Sequence, residues 1–86
     1  MSTIEKIRQK LALLTPENLE IVDESTEHAG HEGAKSGGHY QMTIVSPKFQ
    51  GKTNIARHRM VYAALSGMMH KEIHALSIKA YAPEEF

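Results

Sequence analysis

The sequence predicts an α/β (α+β) two-layer sandwich with the element order α-β-β-α-β and a three-stranded mixed sheet. Two segments repeat apolar residues at the spacing of a helix, and three shorter segments alternate apolar and polar residues as half-buried strands do. The 86 residues are enough for one hydrophobic core, so we expect a single domain over residues 1–86. Two helices on one face of a small sheet bury the apolar sides of both layers.

The first helix is predicted over residues 3–14. Ser2 and Glu5 have the spacing of a capping box, in which each side chain bonds a free amide of the first turn. Apolar residues then recur at helical intervals up to Leu14, and Pro16 ends the run.

Two strands are predicted around a long loop. Residues 19–25 and 40–46 alternate apolar and polar side chains, and we expect these two strands to pair antiparallel. Residues 26–38 have neither period and contain four glycines, which predicts a mobile loop. A connection of this length is usually functional or disordered.

The second helix is predicted over residues 54–69. Gly51 marks a turn before it, and Thr53 or Asn54 can cap its first turn. Its predicted apolar face comprises Ile55, His58, Val61, Tyr62, Leu65, Met68 and Met69.

The third strand is predicted to begin near Ala75 and to end at Pro83, with His74 at its entrance. A strand, a helix and a further strand usually form a right-handed parallel unit. We therefore expect the third strand to run parallel to the second.

The composition excludes several classes of function. Lys plus Arg equals Asp plus Glu at 10 each, so no global positive field attracts the chain to nucleic acid or to an anionic membrane. The absence of cysteine removes disulfides, thiolate ligands and thiol nucleophiles. The first residues show no uninterrupted apolar run, so we expect a cytoplasmic protein without membrane contact. No nucleophile elbow or nucleotide-binding glycine loop occurs, which argues against an enzyme.

Six histidines in so short a chain are the first candidate for chemistry. His28, His31 and His39 fall in or next to the predicted loop, and a flexible loop can bring imidazoles toward the fixed His74. Their spacing does not match a closed structural zinc site. The alternative for each loop histidine is an exposed side chain without a special role. His58 falls on the apolar face of the second helix, where a partly buried core histidine is expected.

The second candidate is a basic group around the start of the second helix, which we define as Lys48, Lys52, Arg57 and Arg59. Cations at a helix N-terminus oppose the helix dipole, so an anionic partner would explain them. The alternative is a solvated helix end with surface ion pairs.

Five motifs in order resemble the BolA-like proteins, and they cover nearly the whole chain. They are Leu19-Glu20-Ile21-Val22-Asp23-Glu24-Ser25, Gly38-His39-Tyr40, Phe49-Gln50-Gly51-Lys52, Arg57-His58-Arg59-Met60-Val61-Tyr62 with Leu65, and Ile73 to Tyr81 followed by Pro83-Glu84-Glu85-Phe86. The resemblance implies an α-β-β-α-β fold similar to class II KH domains, with a C-terminal turn or short helix. The glycine clamp with which KH domains hold nucleotides does not occur here.

The resemblance also implies a partnership with a monothiol glutaredoxin. In that arrangement a [2Fe–2S] cluster is shared between the two proteins, with the glutaredoxin cysteine and glutathione on one iron and histidines of this chain on the other. The family's ligand before the last strand matches His74, and its second ligand, from the loop, matches His28 or His39. His31 is not required by the family pattern. The isolated chain is not expected to hold the cluster tightly, and we expect it to be a monomer or a weak homodimer.

A nucleic-acid-binding regulator is the competing interpretation. Members of the family have been linked to transcriptional control of cell shape and stress responses, and Lys52, Arg57 and Arg59 are the residues that would meet DNA phosphates. The zero net charge argues against it. An adaptor without metal is a third interpretation.

Overall fold

The computed structural model describes residues 2–24 and 38–86, and it confirms the predicted order of elements. A 3-10 turn at Ala12–Leu14 continues the first helix, and further 3-10 turns lie at Pro47–Phe49 and Pro83–Glu85. The helices and strands are α1 (Thr3–Leu11), β1 (Asn18–Asp23), β2 (Gly38–Val45), α2 (Asn54–Ala64) and β3 (Ile73–Tyr81).

The sheet has the strand order β1-β2-β3, so β2 is central. β1 pairs with β2 antiparallel, from Asn18 opposite Val45 to Asp23 opposite Tyr40. β3 pairs with β2 in parallel, as the crossover through α2 predicts. Both predicted strand directions are therefore confirmed.

The core lies between the helices and one face of the sheet. Tyr40, Met42 and Ile44 of β2 point into it, and the intervening His39, Gln41 and Thr43 are half-buried. The core cluster comprises Ile7, Leu11, Leu14, Tyr40, Met42, Ile44, Phe49, Val61, Leu65, Met68, Ile73 and Ala80. The helices thus cover one face of the sheet, and no helix of residues 2–24 and 38–86 lies on the other.

The caps that begin the two helices agree with the sequence. The Glu5 amide donates to the Ser2 hydroxyl at 3.1 Å, and the Ser2 amide donates back to the Glu5 carboxylate at 3.3 Å. At α2 the cap is Thr53, whose hydroxyl accepts from the Ala56 amide at 3.1 Å. Gly51 has a φ of 74°, which only glycine adopts without strain, so this turn requires it.

α2 is shorter than predicted, because it ends at Ala64 rather than near residue 69. The Leu65 amide is shared among the carbonyls of Val61, Tyr62 and Ala63, which tightens the last turn. Gly67 lies three residues after Ala64, and glycine in a helix interior costs about 1 kcal/mol of stability relative to alanine. The chain therefore leaves the helix and turns toward β3.

The predicted apolar face of α2 is also partly wrong. Ile55 is 67% exposed and Tyr62 is 39% exposed, whereas Arg57 is only 7% exposed. The buried stripe begins at Arg57 and continues through Val61, because the guanidinium donates hydrogen bonds to the backbone carbonyl of Ala80 and to the carboxylate of Glu85.

β3 begins at Ile73, two residues before the predicted start at Ala75, so His74 lies inside the strand rather than before it. Of the predicted loop at residues 26–38, only Gly38 is among the described residues, and it is the first residue of β2. None of the helices in residues 2–24 and 38–86 is long and apolar enough to cross a membrane.

Candidate metal centre

A β-bulge lies where β2 and β3 begin. Gly38 is opposite Ile73, but the next residue of β2, His39, is opposite Ala75. His74 of β3 is therefore an additional residue that has no opposite residue on β2 in the strand register. A bulge of this kind bends the strand locally and changes the direction of a side chain.

The bulge explains why His74 is exposed. Strict alternation counted back from Leu76 and Ile78, which pack against the core, would direct His74 toward the helices. The extra residue breaks this alternation, so the buried Ile73 is followed by an exposed His74. The position of His74 thus follows from the register of the sheet.

His74 and His39 form a close pair, which we call the histidine pair. Their ring centroids lie 5.1 Å apart, and the ring planes are tilted by 39°. His74 is exposed and His39 is half-buried. Two imidazoles at this separation can each direct a nitrogen to one metal ion, since the nitrogens of a tetrahedral site with bonds of about 2.1 Å lie about 3.4 Å apart.

Backbone hydrogen bonds fix the first residues of both strands. The Gly38 amide donates to the Glu72 carbonyl at 3.0 Å, and the Glu24 amide donates to the His39 carbonyl at 2.8 Å. The Ile73 amide donates to the Met68 carbonyl at 3.1 Å and closes the turn before β3. The histidine pair therefore stands on backbone that is tied to its neighbours on both sides.

An ion pair ties the same turn to α1. Lys6 Nζ lies 3.3 Å from Glu72 Oε2. The pKa of Glu72 is lowered from its usual value, first because its carboxylate accepts a backbone hydrogen bond and second because of Lys6. The turn that leads to His74 is thus fixed by a side-chain contact as well as by the backbone.

The histidine pair provides only part of a metal site. Within the described ranges, no group of three or more His, Cys, Asp or Glu side chains could hold a metal ion. His28 and His31 lie outside these ranges, so the predicted contact of His28 with His74 stays a prediction. The described residues bring together His39 and His74 from the predicted ligand set.

The residues of the basic group have different environments. Lys48, Lys52 and Arg59 are exposed, whereas Arg57 is buried. Lys52 and Arg59 are thus open to an anionic partner.

His58 is half-buried beside a small cleft that Asn54 and Tyr81 also line, in agreement with its predicted partial burial.

Arg57 connects α2 to the C-terminal turn. Its two terminal nitrogens donate to the Glu85 carboxylate at 2.6 and 2.9 Å, and Nη1 also donates to the Ala80 carbonyl at 3.0 Å. Glu85 accepts as well from the Ala82 amide at 2.9 Å. Arg57 mainly, and then this amide, lower the pKa of Glu85 from 4.5 to about 2.

Sequence reasoning missed the pairing of Arg57 with Glu85. The two residues are separated by 28 positions, and no local spacing relates them. The sequence position of Arg57 indicates its burial, because Arg57 lies on the same helical face as Val61 and Leu65. A cation in a buried stripe requires an internal partner.

A family model described as BolA-like protein matches residues 11–85. The chain is 40% identical over 87 residues to SufE-like protein 1, chloroplastic/mitochondrial, of Arabidopsis thaliana, a match that covers 93% of this chain and 24% of that protein. It is 41% identical over 81 residues to BolA-like protein 1 of Bos taurus, with 93% and 58% covered. It is 37% identical over 83 residues to the DNA-binding transcriptional regulator BolA of Escherichia coli strain K12, with 95% and 77% covered. The chain thus spans less than two thirds of the first two relatives.

Solved structures show the same relationship. The BolA domain of SufE1 from Arabidopsis thaliana superposes with a TM-score of 0.84 at 41% identity, covering 100% of this chain and 99% of that one. BolA1 from Arabidopsis thaliana also gives a TM-score of 0.84, at 36% identity with 100% and 98% covered. The sequence matches and the fold agree, and the chain belongs to the BolA-like protein family.

Proposed function

We propose that this protein handles iron–sulfur clusters by sharing a [2Fe–2S] cluster with a monothiol glutaredoxin, as a binding partner rather than an enzyme. The observation that carries the proposal is the histidine pair, two imidazoles 5.1 Å apart at the start of adjacent strands. His74 supplies one ligand and His39 or His28 the second. Neutral imidazole is a good iron ligand, and the exposed His74 is accessible to a partner.

A partner is a chemical requirement of this proposal. The chain has no cysteine, so it contributes no thiolate to a cluster. The glutaredoxin cysteine and glutathione would supply two sulfur ligands, and this chain would supply nitrogen. Histidine ligation on one iron raises the reduction potential relative to a cluster with four thiolates.

The site is suited to exchange rather than to storage. Structural metal sites in proteins are closed by four protein ligands, whereas the described residues offer two. The cluster is therefore cargo that the glutaredoxin complex holds. The histidines of this chain bind one iron of the cluster, and that side of the cluster stays accessible.

Anaerobic reconstitution tests the proposal. The chain is mixed with a monothiol glutaredoxin, glutathione, iron and sulfide, and visible circular dichroism is recorded for wild type, His74→Ala and His39→Ala. A heterodimer spectrum that differs from that of the glutaredoxin homodimer and that is lost in His74→Ala supports the proposal. His58→Ala is the matched control, since His58 is half-buried on α2 and away from the bulge.

The same experiment separates the alternatives within the proposal. Loss of the spectrum in His39→Ala assigns the second ligand to β2, and its retention together with loss in His28→Ala assigns it to the segment between β1 and β2. A complex that forms equally well with His74→Ala and without iron indicates an adaptor that needs no metal.

Direct DNA binding is the second candidate, because the Escherichia coli relative is named a DNA-binding transcriptional regulator. The residues available for phosphate contacts are Lys52 and Arg59, since the Arg57 guanidinium is used inside the fold. Even with the exposed Lys48 of the basic group, three exposed cations on a chain with zero net charge are a weak electrostatic footprint. We therefore place DNA binding second.

A further inference from the structure

We propose that the helix layer carries a second docking surface, which binds an acidic amphipathic helix of another protein. The surface is a groove between the end of the first helical segment and α2, and we call it the helix groove. Its lining residues are Leu13, Leu14, Met60, Ala63 and Ala64. The inference goes beyond the proposed cluster sharing and does not depend on it.

The helix groove is open and apolar. It has a volume of about 370 Å³, and Leu13 at its rim is 62% exposed. Leu14 forms its floor and is held in place, because the buried Ser46 hydroxyl donates to the Leu14 carbonyl. The exposed Leu13 and the apolar lining of the groove form one continuous apolar surface, and continuous apolar surfaces with polar rims mark protein contact sites.

The shape of the helix groove suits a helix. It runs between two helical segments, so a third helix would pack against both of them at ordinary interhelical distances of about 8–10 Å. Ala63 and Ala64 lie on one wall, and their small side chains let an incoming backbone approach closely. An apolar stripe in such a groove is a recurring mode of peptide recognition.

The charges around the helix groove specify the partner. A second cavity adjoins it, sharing Leu13 and Ala64, and Lys6, Gln9 and Lys10 complete the lining of this second cavity. No carboxylate of residues 2–24 or 38–86 lines either cavity.

The charges of two cations remain available to a partner. Glu72 neutralises Lys6, but Lys10 and Arg59 are exposed and make no ion pair with described residues. Arg59 lies one helical turn before Ala63. One cation on each of the two helical segments beside an apolar groove is complementary to an apolar stripe flanked by Asp and Glu.

The helix groove and the histidine pair lie in different layers of the fold. His39 shares the open face of the sheet with Gln41 and Thr43, because these positions alternate with core residues along β2. The groove lies in the helix layer that covers the opposite face. The chain could therefore contact a cluster-holding partner and a second protein at the same time.

The test uses the full chain and a synthetic helical peptide of about four turns, with leucines along one face and glutamates on both sides of it. The matched probe is the same peptide with lysine at every glutamate position. Binding is followed by NMR amide shifts and by fluorescence anisotropy at low and high salt. We expect binding of the acidic peptide, weaker in high salt, with shifts at Lys10, Leu13, Met60, Ala63 and Ala64.

Variants of exposed groove residues make the test specific. Leu13→Glu and Ala63→Glu should each weaken binding at least about tenfold, which corresponds to about 1.4 kcal/mol. Ile55→Glu is the control, because Ile55 is 67% exposed, close to the 62% of Leu13, but lies at the other end of α2. Both groove variants change exposed side chains, so circular dichroism should show a native fold.

Three results would overturn the inference. The first is no binding of the acidic peptide, and the second is equal binding of both peptides. The third is self-association of the chain, measured by sedimentation, that Leu13→Glu abolishes, since a second copy would then be the occupant. Each result is independent of glutaredoxin, so the proposed cluster sharing is tested separately.

Discussion

His39 and His74 stand side by side because β3 contains one residue more than β2 at this point. His39 is opposite Ala75, and the extra His74 has its ring centroid 5.1 Å from that of His39. The bulge lets the buried Ile73 and the downstream core residues of β3 keep their positions while His74 points outward. A continuous core and an exposed imidazole are thus combined in one strand.

Arg57→Ala should destabilise the protein, whereas Arg59→Ala should not. Arg57 is 7% exposed and makes three hydrogen bonds that join α2, β3 and the C-terminal turn. Its removal leaves the Ala80 carbonyl and the Glu85 carboxylate without this partner, and we expect the melting temperature to fall by more than about 5 °C. Arg59 is exposed, and surface substitutions of this kind stay within about 0.5 kcal/mol.

The melting temperatures of both variants are measured by thermal denaturation monitored with circular dichroism. Arg57→Lys is the informative intermediate, because lysine keeps the charge but cannot donate two parallel hydrogen bonds to Glu85. We expect Arg57→Lys to melt well below wild type. Equal melting temperatures for Arg57→Ala and Arg59→Ala would contradict the structural role.

Glu85 should make the protein lose stability in acid. Its pKa in the folded protein is about 2, below the usual 4.5, so the folded state holds this proton less tightly than the unfolded chain. The stabilisation is fully present above the usual pKa and is lost as the pH falls from about 4.5 toward 2. Urea denaturation across this pH range measures the effect.

Glu85→Gln should flatten this dependence, because glutamine does not titrate. The variant should be less stable than wild type at neutral pH, and the difference should shrink as the pH falls toward 2. Glu84→Gln is the control in the same turn and should keep the wild-type slope. A constant difference between Glu85→Gln and wild type at all pH values would show that the ion pair does not form in solution.

His70→Gly should stabilise the protein. His70 has a φ of 65°, a left-handed conformation in the turn before β3 that glycine adopts without steric cost. We expect the free energy of unfolding to rise by about 1 kcal/mol. The matched control is Lys71→Gly, which should destabilise, because among the described residues only Thr15 and His70 are non-glycine residues with positive φ.

DNA binding, if it occurs, should be weak and sensitive to salt. Lys52 and Arg59 are exposed cations near the start of α2, and each phosphate contact adds about −0.9 to the slope of log affinity against log salt. Anisotropy with a labelled duplex should therefore show a shallow slope, reduced further in Lys52→Ala and Arg59→Ala. A steep slope that neither variant changes would place the DNA contact elsewhere on the chain.

The order of elements and both strand directions could be predicted because each element has its own local signal. The capping box at Ser2 and Glu5, the alternation in β2 and the turn at Gly51 are all decided within a few residues. The end of α2 could not be predicted in this way. Met68 has the right period for a helix, yet it reaches the core from the turn after Ala64.

The site was only partly predictable for a related reason. His74 is a candidate both from its place beside the last strand and from the family motif, but its contact with His39 depends on the register of two strands that are far apart in sequence. Arg57 was placed among the exposed cations because its partner, Glu85, lies in another element. Long-range pairing of this kind has no local signature.

Hyperfine spectroscopy of the reconstituted heterodimer tests the central claim most directly. The chain is labelled with ¹⁵N, the glutaredoxin is left unlabelled, and the cluster is reduced for electron–nuclear double resonance. In wild type, two strongly coupled ¹⁵N nuclei from this chain are expected. In His74→Ala, this pair of ¹⁵N couplings should be absent. A cluster without strongly coupled ¹⁵N from this chain would contradict histidine ligation and the proposed function.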